Sequence, residues 1–424
     1  MADPSKWDWE TGEKLLSDLK VWKNGYKWVE EAYVSPDGEK IAAIVNIDEA
    51  EFNICINGEN WGEDVYDKAW SLKFTPDNRL TAIVSIDEEW TIAVDGETWE
   101  NRYDYVWDTM FCRDGKTIAA ASQLDGKYAM VINDTPWENS FDFMTGMMLS
   151  PDGKNTSAVV QTTLFDSGEI FKFQEGCYTA APNGTVWDNS FVNVWNMSFN
   201  PEGDKLAAEI RLSLYDYTIA VNGKPWDKVF GCVWKPVFHP KRGSVIAPVR
   251  TSGKWTLAED GNIIWGKGFT QMWFQEISPD GNKIAAIISP GYGLWTIAVD
   301  GKPWDKTFGD SVTDLVFSPD SSKIAAIGKE DNKYTIIVND QPWQETFDMA
   351  WPPVFSPDGE NVAAKVEKNG KYTIAVNGKL WSQICDEIWD PTFSPCGTKI
   401  LCRSLEDNKY YRRVIPVSEI LMAS

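Results

Sequence analysis

One turn signature recurs along the whole chain and limits what it can fold into. The signature, Ser-Pro-Asp-Gly, is intact at residues 356–359. Its Pro, or the residue in that place, stands at Pro36, Pro76, Arg113, Pro151, Pro201, Pro240, Pro279, Pro319, Pro357 and Pro395. Every interval is 37 to 40 residues except that from Pro151 to Pro201, which is 50. A second marker keeps step with it. An Asn-Gly, Asp-Gly or Asn-Asp pair is followed shortly by Trp, giving Trp28, Trp61, Trp99, Trp137, Trp187, Trp226, Trp265, Trp304, Trp343 and Trp381. A forty-residue period overrides the domain count that 424 residues would suggest, because one repeat architecture can absorb the entire chain.

Each repeat reads as four short strands. In residues 314–349 they are DLVFS, KIAAIG, YTIIVN and PWQETF. Pro and Gly preset the turn after the first strand. Asn and Asp, which tolerate φ > 0, preset the hairpin after the third. The second and third strands are apolar at successive positions, so both of their faces need cover, which neighbouring repeats supply. Pro236, Pro352, Pro353 and Pro391 lie in the first strand, and proline within a sheet is confined to edges. Four strands with an edge first strand make one propeller blade. The expected fold is therefore all-β, a single closed β-propeller of about ten four-stranded blades over residues 21–416, with two smaller propellers as the alternative. Residues 1–20 read as an N-terminal extension in which GEKLLSDLK forms a short helix, and 417–424 as a C-terminal tail. The last repeat stops before its turn and Trp, while the chain from Val21 supplies a hairpin and a following strand. Strands from both termini are thus expected to close one blade.

Composition narrows the chemistry. Lys and Arg total 40 against 63 Asp and Glu, a net charge of −23 that repels phosphate backbones and anionic headgroups. Nucleic-acid partners and direct membrane insertion are not expected, and no stretch is long and apolar enough to span a bilayer. The start of the chain lacks a basic segment followed by an apolar one, so a cytoplasmic location is expected. Seven cysteines lack any C-x-x-C pair; Cys385, Cys396 and Cys402 form the one cluster to weigh against a metal, and their spacing is arbitrary. The single histidine, His239, takes the serine place of a turn. Neither a nucleophile elbow nor a nucleotide-binding glycine loop is present, and the turn Asp reads as a turn-stabilising side chain rather than a calcium ligand. No catalytic residue, cofactor or metal site is assigned, and the chain is expected not to be an enzyme.

Two features carry candidate binding residues. Six residues before the turn Pro, at the start of the first strand, stand Trp70, Trp107, Trp195, Trp234, Trp273, Trp351 and Trp389. Such rings either fill a tunnel or offer a platform to a ligand or partner, whereas the Trp after the hairpin turn packs between blades. The long repeat replaces a short loop with a segment read as a projecting hairpin whose apolar members are Phe165, Ile170, Phe171 and Phe173. By strand alternation it leaves from the Trp end of the first strands, on a face whose other loops, 47–51, 86–89, 329–333 and 405–409, are mostly acidic.

The Ser-Pro-Asp-Gly turn followed by K-x-I-A-A resembles the WD40-like propellers of the TolB type over residues 21–416. More narrowly, the N-G-K-P-W-D units, the 23 tryptophans and the acidic composition resemble the tryptophan-rich cytoplasmic subunit of the transmembrane redox complex (Tmc) of sulfate-reducing bacteria. That resemblance implies a scaffold without a redox centre, held at the inner membrane through iron-sulfur and membrane cytochrome partners. A ligand-binding propeller with a Trp-lined channel mouth is the alternative.

Overall fold

A computed structural model describes residues 3–62, 65–164 and 168–422. It contains ten antiparallel sheets, the ten blades of an all-β propeller fold. Blade 3 is typical, with Tyr105–Phe111, Ile118–Leu124, Lys127–Ile132 and Thr135–Pro136 hydrogen-bonded in chain order, so that the first strand is an edge as its prolines elsewhere require. The chain forms two compact units. One comprises Ile86–Ala93 and Thr98–Gln275 and holds blades 3 to 6. The other comprises the chain up to Ser85, Val94–Glu97 and the chain from Glu276, and holds blades 8, 9, 10 and 1.

Within each unit, neighbouring blades bury the second and third strands face to face. The layer between blades 8 and 9 contains Ala325, Ile327, Ile336, Phe347, Phe355, Ala364 and Val366. Alanines in the second strands let the sheets approach, and a ring from the end of most repeats, such as Phe347, fills the remaining volume, with Cys385 in that place in blade 9.

The recurring turns are held by their own side chains. In the turn at 278–281, Ser278 Oγ donates to Asp280 Oδ1 at 2.6 Å and accepts from Lys283 N at 2.9 Å, while Gly281 N donates to Ser278 O at 2.7 Å. Hydrogen bonds of this kind, with Ser318 foremost, hold the Asp320 carboxyl down to about 2. The Asp is therefore a turn brace. His239 does the same work, its Nδ1 accepting from Lys241 N and Arg242 N at 3.2 and 3.1 Å. A lysine then ties one blade to the next, since Lys283 Nζ donates to Ser321 O at 3.1 Å and Lys323 Nζ to Gly359 O at 3.0 Å.

Strands from both termini complete blade 10, and the N-terminal contribution begins earlier than its sequence suggests. Gly12–Asp18 is a strand rather than part of a helix, and it pairs with Lys409–Pro416 from Gly12 opposite Val414 to Asp18 opposite Lys409. Helix α1, Leu19–Gly25, follows, started by Asp18 Oδ1 accepting from Lys20 N at 2.9 Å. The pair Asn24-Gly25 thus ends a helix and does not form a hairpin. As a result Trp28 is not a packing residue. It opens the first strand of blade 1 opposite Asn46 and is 56% exposed. Trp22 on α1 takes the packing place at 2% exposure; its Nε1 lies 3.4 Å from where a Cβ on Gly58 would sit, as Trp61 Nε1 does from Gly96. Helix α2, Ile170–Glu175, lies in the long repeat, and helix α3, Val417–Met422, buries Val417 and Ile420 against blades 9 and 10.

The seam between blades 10 and 1 replaces the lysine tie with larger donors. Tyr410 Oη donates to Gly38 O at 2.8 Å, Arg412 Nε to Asp37 O at 2.9 Å and Arg403 Nη1 to Ser35 O at 3.2 Å. Substitution Trp22→Ala should cost roughly 3–5 kcal/mol, the range for emptying an aromatic site. Trp28→Ala should cost far less, and thermal melts of the two variants side by side will check the assignment.

Candidate interaction face

The first strand of most blades breaks just after its signature Trp. The register shifts between Trp107 and Met110 and between Trp195 and Ser198, and the residues at the break, Asp108 and Asn196, take φ of 53° and 39°. Asp and Asn tolerate that region, whereas Phe274, at φ 51°, does so at a cost. Where proline occupies the break, as at Pro236, Pro352 and Pro391, the strand splits into two short pieces instead. The bulge re-aims the Trp that precedes it.

Several of these tryptophans lean on the aromatic residue that heads the third strand of the same blade. Ring centroids are 5.9 Å apart for Trp107 and Tyr128, 6.4 Å for Trp195 and Tyr217, 5.8 Å for Trp351 and Tyr372, and 5.9 Å for Trp389 and Tyr410. Trp234 and Trp255 stack at 5.3 Å with planes 9° apart. Trp195, Trp234 and Trp273 keep 38, 41 and 39% of their surface exposed, while Trp70, Trp107, Trp351 and Trp389 are half-buried. Lys365 Nζ lies 4.3 Å over the Trp351 ring, so that ring already has a cation.

The long repeat departs from its expected shape. After the strand Thr156–Gln161 the chain forms α2 and rejoins the sheet at Tyr178–Ala180, so the projecting element is a helix of six residues and not a hairpin. Phe165 lies outside the described residues. Ile170 and Phe171 are exposed, Phe171 by 82%, and Phe173 is half-buried. Because Met144 pairs with Val160, this segment leaves from the end where the first strand of blade 4 begins. Loops at the same end of blades 3 and 5 expose Leu124, Leu214 and Tyr215. Three successive blades of one unit thus present apolar tips. In the other unit the corresponding loops carry Asp48, Glu49, Glu330, Asp331, Glu406 and Asp407, with Tyr292 fully exposed among them.

In the unit that holds blades 3 to 6, Glu209 stands directly opposite Trp195, at the second-strand place that is apolar in most blades and that Lys365 and Arg403 take in blades 9 and 10. It is 5% exposed, and burial pushes its carboxyl up to about 7 against the opposing effect of Asn196 Nδ2, which donates to Oε2 at 2.8 Å. Asn196, at the bulge, and Trp195 also line a cleft of about 360 Å³ with Gly146, Met148, Met197 and Lys235. An acid inside the run LAAEIR was a visible signal for this group.

The cysteine cluster separates in three dimensions. Cys385 and Cys402 are buried between blades 9 and 10, and burial raises both thiols, that of Cys385 to about 12. Cys396 is exposed, its thiol lowered to about 7 by Ser394 and Thr398. Among the described residues no group of three or more His, Cys, Asp or Glu side chains is arranged to hold a metal, and no helix is long and apolar enough to cross a membrane.

The fold on which these features sit is a ten-bladed β-propeller. No protein-family model matches the chain, and no curated protein matches it. Among solved structures, a crystal structure of the eukaryotic initiation factor is similar to it, with a TM-score of 0.47 and 12% identity, over 83% of this chain and 96% of the other.

Glu209 sets a pH dependence. Its folded value lies above the unfolded 4.5, so the folded state binds the extra proton between the two, and stability falls as pH rises from about 4.5 to about 7. Glu209→Gln keeps an acceptor for Asn196 and removes that loss. The variant should therefore melt higher than wild type at pH 8, by up to ~3 kcal/mol, and equally at pH 4. An equal shift at both pH values would mean that the carboxyl is not the cause.

Proposed function

We propose that this propeller is a non-catalytic scaffold that docks a partner protein on the loop face of blades 3 to 5, and that it serves a membrane-associated electron-transfer complex with iron-sulfur and membrane cytochrome subunits. The observation that carries the docking surface is Phe171, 82% exposed on a helix that interrupts an otherwise regular repeat, with Ile170 exposed on the same helix and Leu214 and Tyr215 on the corresponding loop of blade 5. Exposed apolar side chains grouped on one face mark interaction sites, and aromatic anchors supply most of the binding energy at such sites. The acidic loops elsewhere would orient an approaching partner. The likeness of the N-G-K-P-W-D units to the Tmc subunit supports the redox assembly as the setting.

A second reading is favoured by the cleft beside Trp195, where a half-exposed indole, Lys235 and Asn196, itself bonded to the buried Glu209, face one small volume suited to a flat polar ligand. Co-purification at native expression level separates the two. The wild type should bring down an iron-sulfur or membrane cytochrome subunit, and the double variant Ile170→Ser, Phe171→Ser should lose it while keeping the melting temperature, since neither side chain is buried. The purified chain alone should show no visible chromophore after anaerobic preparation. Full recovery of the partner by the double variant would sink the docking surface.

A further inference from the structure

The hairpin turn after the third strand of blades 1 to 9 has two residues at positive φ. The second is Gly in most repeats but Asp at 134 and 340. Each of these carboxylates grips the preceding blade. Asp340 Oδ2 accepts from Asp305 N at 3.0 Å and Oδ1 from Lys306 N at 2.9 Å. Asp134 accepts in the same way from Glu100 N at 2.8 Å and Asn101 N at 3.2 Å. The paired amides are those one and two residues after the packing Trp, here Trp304 and Trp99. The fold has therefore built the same two-pronged carboxylate receptor at two junctions and filled it from its own sequence.

At the junction of blades 8 and 9 the receptor stands open. The corresponding amides belong to Gln344 and Glu345, after Trp343, and neither donates to any group among the described residues. The residue in the place of Asp340 is Gly378, at φ 78° against 66° for Asp340. A Cβ there would meet Trp343 Cγ at an ordinary 3.4 Å, so the missing side chain leaves usable space. The result is a cleft of about 640 Å³ lined by Trp343, Gln344, Glu345, Gly378, Lys379 and Trp381. The Glu345 carboxylate is turned to Lys368 Nζ at 3.0 Å, and Lys379 adds a positive charge.

We propose that this cleft binds a carboxylate carried by an acidic segment of a partner protein, with the amides of Gln344 and Glu345 gripping the two oxygens as those of Asp305 and Lys306 grip Asp340. A chain of net charge −23 disfavours free anions, so the two indoles must supply contact that a peptide can use and an inorganic ion cannot. The inference rests on the scaffold reading only in taking the ligand to be a protein, and it uses a surface remote in sequence from α2.

The test is a titration followed through backbone amide NMR of the full chain, with blocked peptides containing Asp, their Asn counterparts, and Asn peptides ending in a free C-terminal carboxylate. In the wild type the amide signals of Gln344 and Glu345 should shift saturably with a carboxylate peptide and not with the blocked Asn peptide. Which carboxylate works will tell a side chain from a chain end. Gly378→Asp should abolish the shifts by filling the receptor from within, with the rest of the spectrum preserved. Asp340→Gly should open a second receptor and make Asp305 and Lys306 respond. No response in the wild type, or the same response in Gly378→Asp, would overturn the proposal. Replacing Ile170 and Phe171 should leave these shifts unchanged, so this experiment and the co-purification fail separately.

Discussion

The fold depends on a hydrogen bond made once in each of nine blades. The first residue of the second strand donates its amide to the side-chain oxygen of the Asn or Asp that opens the hairpin turn, at 2.9 Å every time, from Ile41 with Asn57 to Val362 with Asn377. In most of these pairs the turn residue also donates its own amide back, as Asn57 N does to Ile41 O. The turn therefore needs a residue that both tolerates positive φ and carries an acceptor on a short side chain, and only Asn and Asp meet the two demands. Once the turn is fixed, the Trp that follows is delivered to the gap between blades. A third-strand Thr then anchors the outgoing chain, as Thr296 Oγ1 does to Lys306 O at 2.6 Å.

These local demands explain what the sequence made legible. Blade number, strand order, the edge character of the first strand and the bracing role of the turn Asp follow from turn chemistry repeated at a fixed period. The termini do not, because the same letters there satisfy a different structure. Lys23-Asn24-Gly25 matches the hairpin signature, yet Asn-Gly ends a short helix equally well, and Trp28 falls at the right distance by coincidence. Gly12–Asp18 has five exposed or half-exposed residues before its one buried position, Ser17, so no alternation marks it as a strand. Its register comes from partners some four hundred positions away, among them Arg413, whose Nε donates to Glu13 at 2.6 Å. In the long repeat Phe171 and Phe173 alternate like a strand while Ile170 and Phe173 are spaced like a helix, and so short a segment cannot decide between periods.

The seam shows how a repeat protein treats the one junction it cannot make from consecutive sequence. At three other junctions a lysine, Lys40, Lys283 or Lys323, reaches a turn carbonyl of the next blade, and at that of blades 4 and 5 Asn155 does so. At the seam Arg403, Arg412 and Tyr410 reach the carbonyls of all four residues of the turn 35–38, and Arg412 is 2% exposed. Burying guanidinium groups is costly unless their donors are satisfied; these carbonyls and the carboxylates of Glu13, Glu39 and Glu406 take up most of them, while the buried Arg403 Nε has no hydrogen-bond partner among the described residues. Arginine suits the place because its planar fork serves several acceptors at once without losing charge. The extra bonds offset the entropy of bringing distant chain ends together.

Regularity on this scale also makes the departures informative. Where a residue is dictated by the repeat its role is structural, so an acid at a second-strand place that is apolar in most blades, or a helix in place of a four-residue loop, removes something the architecture would otherwise supply, while Asp134 and Asp340 add a grip that the Gly of the other turns leaves out. Glu209 exchanges core stability near neutral pH for a buried carboxyl beside a cleft. Helix α2 exchanges a short polar loop for exposed apolar side chains. Gly378 leaves unfilled a receptor whose geometry Asp340 demonstrates one junction away, in the same unit and on the same backbone conformation. The scaffold thus serves as its own control, because each candidate site can be compared with a copy of itself that lacks the departure.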